Sequence, residues 1–145
     1  MYKRILLAYD GSQSGQKALL DCQELAQWAQ AELTLVAVMP LYMDVMGMGV
    51  GVYDPHLMEQ EKQALQDVLN DGLRRLSSAG HAATGEVLVG EVVDEITKQA
   101  RKIEADLIVV GHRHLDSWAA RWWRGSVSKT LIEHSPCSVL VVITR

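Results

Sequence analysis

The chain has 145 residues, a formal net charge of −4, and a composition that is 48% hydrophobic and 22% charged. That length suits one domain, 1–145, able to bury a core without disulfides. The acidic balance gives no general nucleic-acid footprint, and no apolar run approaches transmembrane length, so neither nucleic acid nor membrane is an expected partner.

Taken in chain order, Ile5–Tyr9 is a continuous apolar run, too short for a signal-peptide core, and predicts a buried strand. Ser12 or Ser14 can cap the next segment, where Ala18, Leu19, Cys22, Leu25, Ala26 and Ala29 recur at helical spacing and predict a helix over Gly15–Gln30. Leu33–Val38 is a second apolar strand, followed by a Met- and Gly-rich loop from Met39 to Asp54. Asp54-Pro55 is a helix start, a capping carboxylate before a first-turn proline. Leu57, Met58, Ala64, Leu65, Val68, Leu69, Leu73 and Leu76 mark one face of the long helix that follows, and Gly80 ends it. Ala83–Val89 predicts a third strand and Gly90 a turn. Val92–Ile103 predicts an amphipathic helix with Ile96, Ala100 and Ile103 inward. Leu107–Val110 is the fourth strand, Ser126–His134 the last helix and Ser138–Ile143 the fifth strand.

Continuous apolar strands that alternate with helices imply a parallel sheet covered on both faces. Right-handed crossovers then favour an α/β fold: a doubly wound five-stranded parallel sheet, strand order 3-2-1-4-5, with helices on both faces. Cys22 and Cys137 stand far apart and in no metal-binding spacing, which suggests two reduced thiols and a cytoplasmic location.

The stretch from Asp106 to Val127 carries the clearest functional signal. Four apolar residues run into Gly111, a loop rich in Trp and Arg follows, and Gly125-Ser126 opens a helical segment. A glycine turn and a second glycine at a helix start make a phosphate cradle, where free backbone N–H groups and the helix dipole meet an anion. Asp10-Gly11-Ser12, at the end of the first strand, supplies the matching half of a crevice. Three other motifs fail. Gly47-x-Gly49-x-Gly51 has Val52 where a dinucleotide fingerprint needs glycine. Ser128-Lys129-Thr130 lacks the glycine that precedes a Walker lysine. Gly11–Gly15 has Gln13 where a nucleophile elbow needs serine. His112 and His114 lack a third metal ligand at any recognisable spacing, so no metal site is expected.

With these elements in place, the chain resembles a universal stress protein of the single-domain class over essentially its whole length. ILLAYDGSQSGQKAL resembles the family's opening strand and capped helix, and LTLVAV its second strand. GEVVDEITKQARKIEADLIVVG resembles its third helix and fourth strand, and GSVSKTLIEHSPCSVLVV its last helix and strand. The resemblance implies binding of an adenine nucleotide, ATP or AMP, with Asp10 near the ribose or an accompanying Mg2+. Ala8 and Tyr9 would line the adjacent wall, and Val38 would meet the adenine through its backbone. Gly111, Gly125, Ser126 and Val127 would hold phosphates, with Arg113, His114 and Arg124 beside them. The family pattern places a second glycine where this chain has His114, and nine residues where residues 115–124 make ten. A Cβ at 114 crowds a phosphate, or the longer loop bulges around it.

Local structure offers an alternative for each position: Gly111 and Gly125 as turn glycines, Ser126 as an N-cap, Asp10 as a turn former. Trp122 and Trp123 suit packing of the loop more than base stacking. No catalytic group is placed by any motif, so the chain is expected to be a binding module in the stress response, with at most slow ATP hydrolysis or autophosphorylation at Ser126. The alternative is a family member that has lost nucleotide binding and acts through dimerisation and protein contacts. The last strand, Ser138, Val139, Leu140, Val141, Val142 and Ile143, is apolar and lies at a sheet edge in the expected order. It predicts a homodimer built on that strand.

Overall fold

Side chains of the first strand alternate between two apolar layers, which is how a strand covered on both faces behaves. In the computed structural model, which describes residues 1–40, 55–113 and 127–144, that strand is β1 (Arg4–Ala8). It is followed by α1 (Gln13–Ala29), β2 (Glu32–Pro40), α2 (Pro55–Ser78), β3 (Thr84–Gly90), α3 (Val92–Lys102), β4 (Leu107–Arg113) and β5 (Ser138–Thr144). Residues 127–134 form a further helix, α4, between β4 and β5. The sheet order is β3-β2-β1-β4-β5 with every pair parallel, as the sequence predicts. β1 is central, with Leu7 in register with Leu35 of β2 and Val109 of β4.

Ile5 and Leu7 join Ala18, Leu19, Cys22, Leu69 and Leu76 in one core layer, under α1 and α2. Leu6, Val36, Ile108 and Val110 meet Ile96, Ala100 and Leu131 in the other, under α3 and α4. The β1 end of the sheet is also tied at its base. The Asp106 carboxylate accepts the backbone N–H of Lys3 at 2.7 Å and of Arg4 at 3.1 Å, which fixes β1 against the start of β4.

Several boundaries differ from the sequence expectation, each for a local reason. Ser12, one of the two serines the sequence offers as a cap, accepts the Gly15 N–H at 3.1 Å, so α1 begins at Gln13 rather than Gly15. Gln30 falls outside the helix as its left-handed C-cap, φ 54°, and returns its N–H to Ala26 and Gln27. The strand β4 does not turn at Gly111. It continues through His112 and Arg113 because β5 also extends, pairing Gly111 with Val142 and Arg113 with Thr144. On α2, Leu57 and Ala64 face solvent, and deep burial begins only at Leu69. A helix of 24 residues spans about 36 Å, longer than the nine-residue β2, about 30 Å, on which it lies. The helix start at Asp54 and the Met46–Gly51 loop lie outside the described residues.

Candidate functional site

Parallel strands leave their ligand crevice at the carboxyl edge, where neighbouring connections depart to opposite faces. Here β1 leads to α1 on one face and β4 to α4 on the other. Between their ends the structure has a cavity of about 320 Å³. Its floor is the end of β1, Ala8, Tyr9 and Asp10, continued by Ser12, Ser14 and Gly15 of the α1 start. One wall is apolar, made by Val38 and Pro40 of β2 with Val92 and Ile96 of α3. The other is Val110, Gly111 and His112 of β4 with Val127 and Ser128 of α4.

Close approach of α1 to β4 shapes this floor. A Cβ on Gly111 would lie 2.4 Å from the Ser14 carbonyl oxygen, 2.6 Å from its carbon and 2.9 Å from the Gly15 nitrogen. Gly111 is therefore glycine because the backbone of α1 crosses it, whatever else it touches. At Gly15 a Cβ would lie 2.7 Å from Asp10 Oδ1, a side-chain atom, so it would displace the carboxylate rather than the backbone. Gly11 has two reasons to be glycine: φ of +76° and a Cβ position 2.7 Å from Val68.

Asp10 is exposed, and one oxygen is occupied. Its Oδ1 accepts the Ser12 N–H at 2.9 Å and the Ser12 hydroxyl at 2.5 Å. Tyr9 is only 3% exposed, its ring resting where a Cβ on Gly72 of α2 would lie 2.8 Å away. Burial raises its phenol above the ordinary range, with Arg75 opposing. Tyr9 thus belongs to the core as much as to the cavity. The start of α3 does not invite an anion. Glu91 caps it by accepting the Asp94 N–H at 2.8 Å, and Asp94 and Glu95 fill its first turn. Carboxylates already answer the helix dipole there. The cavity therefore has an apolar, anion-averse end at α3 and a polar end at β4 and α4.

Of the residues expected from sequence, Ala8, Tyr9, Asp10, Val38, Gly111 and Val127 meet at this cavity. Arg113 is the last residue of β4, and its side chain lies outside what the structure describes. His114, Arg124, Gly125 and Ser126 lie outside the described residues, as do Trp118, Trp122 and Trp123. The sequence argument missed Ser14, Gly15, Pro40, Val92, Ile96, Val110, His112 and Ser128 as lining residues. The signal for Ser14 and Gly15 was their place in the first turn after β1. For Val92 and Ile96 there was none beyond their apolar spacing. Among the described residues no cluster of three or more metal-ligating side chains occurs, and no helix is long and apolar enough to cross a membrane.

The model of the universal stress protein family matches residues 1–142. The chain belongs to that family. A Staphylococcus aureus (strain USA300) relative, described as "Putative universal stress protein", is 34% identical over 146 aligned positions, covering 99% of this chain and 86% of the relative. A universal stress protein family member from Burkholderia pseudomallei has the same fold with a TM-score of 0.76 at 30% identity, covering 97% of this chain and 96% of that one. More distant members of the fold were solved with ligands. One universal stress protein holds cAMP (24% identity, TM-score 0.72, covering 99% and 98%) and one from Archaeoglobus fulgidus holds dAMP (20%, 0.69, covering 97% and 98%). One from Arabidopsis thaliana holds AMP (17%, 0.67, covering 99% and 92%).

Proposed function

We propose that this universal stress protein is a cytoplasmic adenine-nucleotide-binding module, taking ATP or AMP in the cavity between the ends of β1 and β4. The observation that carries this is the polarity of the cavity. An apolar wall of Val38, Pro40, Val92 and Ile96 suits a base, while the β4–α4 end suits phosphate. The Asp10 carboxylate stands between them, with Oδ2 outside its bonds to Ser12. Family members that hold cAMP, dAMP and AMP support the same class of ligand. In this reading Val38 meets the adenine through its backbone, and Ala8 and Tyr9 form the wall beside it. Asp10 faces the ribose or an accompanying Mg2+. Gly111, Val127, Gly125 and Ser126 approach the phosphates, aided by Arg113, His114 and Arg124. Titration calorimetry with ATP and with AMP tests it: saturable heat is expected, lost in Gly125→Val. No heat and no thermal shift at millimolar nucleotide would remove the proposal.

A second role rests on a separate observation. β5 is the sheet edge beyond β4, and its Leu140 and Ile143 are 38% and 57% exposed. An apolar edge of this kind is normally covered. Its occupant in this reading is β5 of a second copy, antiparallel across a two-fold axis, so that the nucleotide state of a homodimer is what a partner senses. If nucleotide binding fails, dimerisation and protein contacts through this edge become the primary function.

A further inference from the structure

The hydroxyl protons in the cavity floor have one consistent arrangement. Asp10 Oδ1 lies 2.5 Å from Ser12 Oγ. A carboxylate only accepts, so the single hydroxyl proton of Ser12 goes to Asp10. Ser12 Oγ also accepts the Gly15 N–H at 3.1 Å. With its proton committed, Ser12 meets Ser14 Oγ, 3.1 Å away, only as an acceptor. Ser14 is therefore the donor of that bond, and its oxygen keeps its lone pairs. Ser14 is 7% exposed and lines the cavity, and the bond to Ser12 is its one side-chain hydrogen bond among the described residues. Asp10 Oδ2 also takes no hydrogen bond among the described residues. Asp10, Ser12 and Ser14 thus leave acceptors and no free donor among their three side chains.

Sheet order says what these acceptors face. β1 lies between β2 and β4. The apolar wall stands on the β2–α3 side, and His112 and Ser128 on the β4–α4 side. A nucleotide with its base on the first and its phosphate toward the second has its sugar over the end of β1. A ribose presents two hydroxyl donors at that point. We propose that Ser14 is a sugar-specificity residue. Its oxygen, held as an acceptor by the Ser12–Asp10 chain, takes a hydrogen bond from a ribose hydroxyl, so the site prefers ribonucleotides to deoxyribonucleotides. This rests on the adenine-nucleotide reading above and deepens it. The selection is chemical, because a deoxy sugar leaves a largely buried acceptor without a partner.

The test is calorimetric titration of the full chain with AMP, 2′-deoxy-AMP and 3′-deoxy-AMP. AMP is expected to bind about fivefold to tenfold more tightly than at least one deoxy analogue, the worth of one such hydrogen bond. Ser14→Ala should bring AMP down to that analogue's affinity and leave the analogue's own affinity unchanged. Ser14→Cys keeps most of the volume but offers a poor acceptor, so it should behave like Ser14→Ala; circular dichroism and melting establish that both variants fold. Equal affinity for all three nucleotides overturns the inference and leaves nucleotide binding intact. So does discrimination that survives in Ser14→Ala. If none of the three binds, the adenine-nucleotide reading fails and takes this inference with it.

Discussion

Gly111→Ala is a severe test of the geometry of this site, because the added atom meets backbone rather than a side chain that can swing away. The new Cβ would lie 2.4 Å from the Ser14 carbonyl oxygen and 2.9 Å from the Gly15 nitrogen. Ordinary contact needs about 1 Å more, so the first turn of α1 must move outward by roughly that distance. That turn is held by the Ser12 cap and carries Asp10 against it. Overpacking of this kind costs about 2–3 kcal/mol. For a chain of this size that is a fall in melting temperature of about 6–12 °C, and a lower urea midpoint at unchanged slope. Because the displaced turn is the cavity floor, nucleotide affinity should fall in the same variant. Gly80→Ala is the matched control. Gly80 has φ +82° and nothing within 4 Å of a Cβ, so only its backbone conformation is penalised, by about 1 kcal/mol. If Gly111→Ala is less destabilising than Gly80→Ala, or lies within about 0.5 kcal/mol of wild type, the close crossing of α1 over β4 is wrong.

The other predictions are more local. Gln30→Gly relieves a left-handed residue at the exposed C-cap of α1 and should stabilise the protein by about 0.5–1 kcal/mol, measured by chemical unfolding. Asp106→Ala removes two backbone hydrogen bonds that hold β1 to β4 and should cost about 1–2 kcal/mol; amide exchange at Lys3 and Arg4 should quicken with it. Burial pushes the Cys22 thiol up to about 12. Its folded value thus exceeds the unfolded one, near 9, so stability is intact below pH 9 and falls as pH rises from 9 toward 12; Cys22→Ser should flatten that slope, and alkylation of native Cys22 at pH 8.5 should be slow. Ile143→Lys places a charge on the exposed β5 edge and should convert a dimer to a 16.1 kDa monomer in light scattering with little change in melting, while a wild type of that mass at every dilution would sink the dimer. Val141 is less suitable for this purpose, because it packs against the α3–α4 core layer.

The elements and their order were legible because each depends on neighbours in the chain. Apolar runs such as Ile5–Tyr9 and Leu107–Val110 signal buried strands, Ser12 signals a helix start, and the alternation of strands and helices leaves few right-handed topologies. The crevice was legible to the same extent, since a doubly wound sheet has to place the ends of β1 and β4 side by side. Beyond that, local pattern carries no record of which distant atoms meet. Gly111 looked like a turn residue, and only the crossing of α1, 97 positions away in sequence, shows it to be a strand residue that must lack a Cβ. Tyr9 ends an apolar strand in sequence and is expected to line a ligand wall, but its ring packs against Gly72 of α2 and so belongs to the core as well. His112 and Ser14 became cavity residues for the same reason. A helix periodicity tells which face is apolar, not what lies opposite, and the proton of a serine is assigned only when its partners on neighbouring turns are in place.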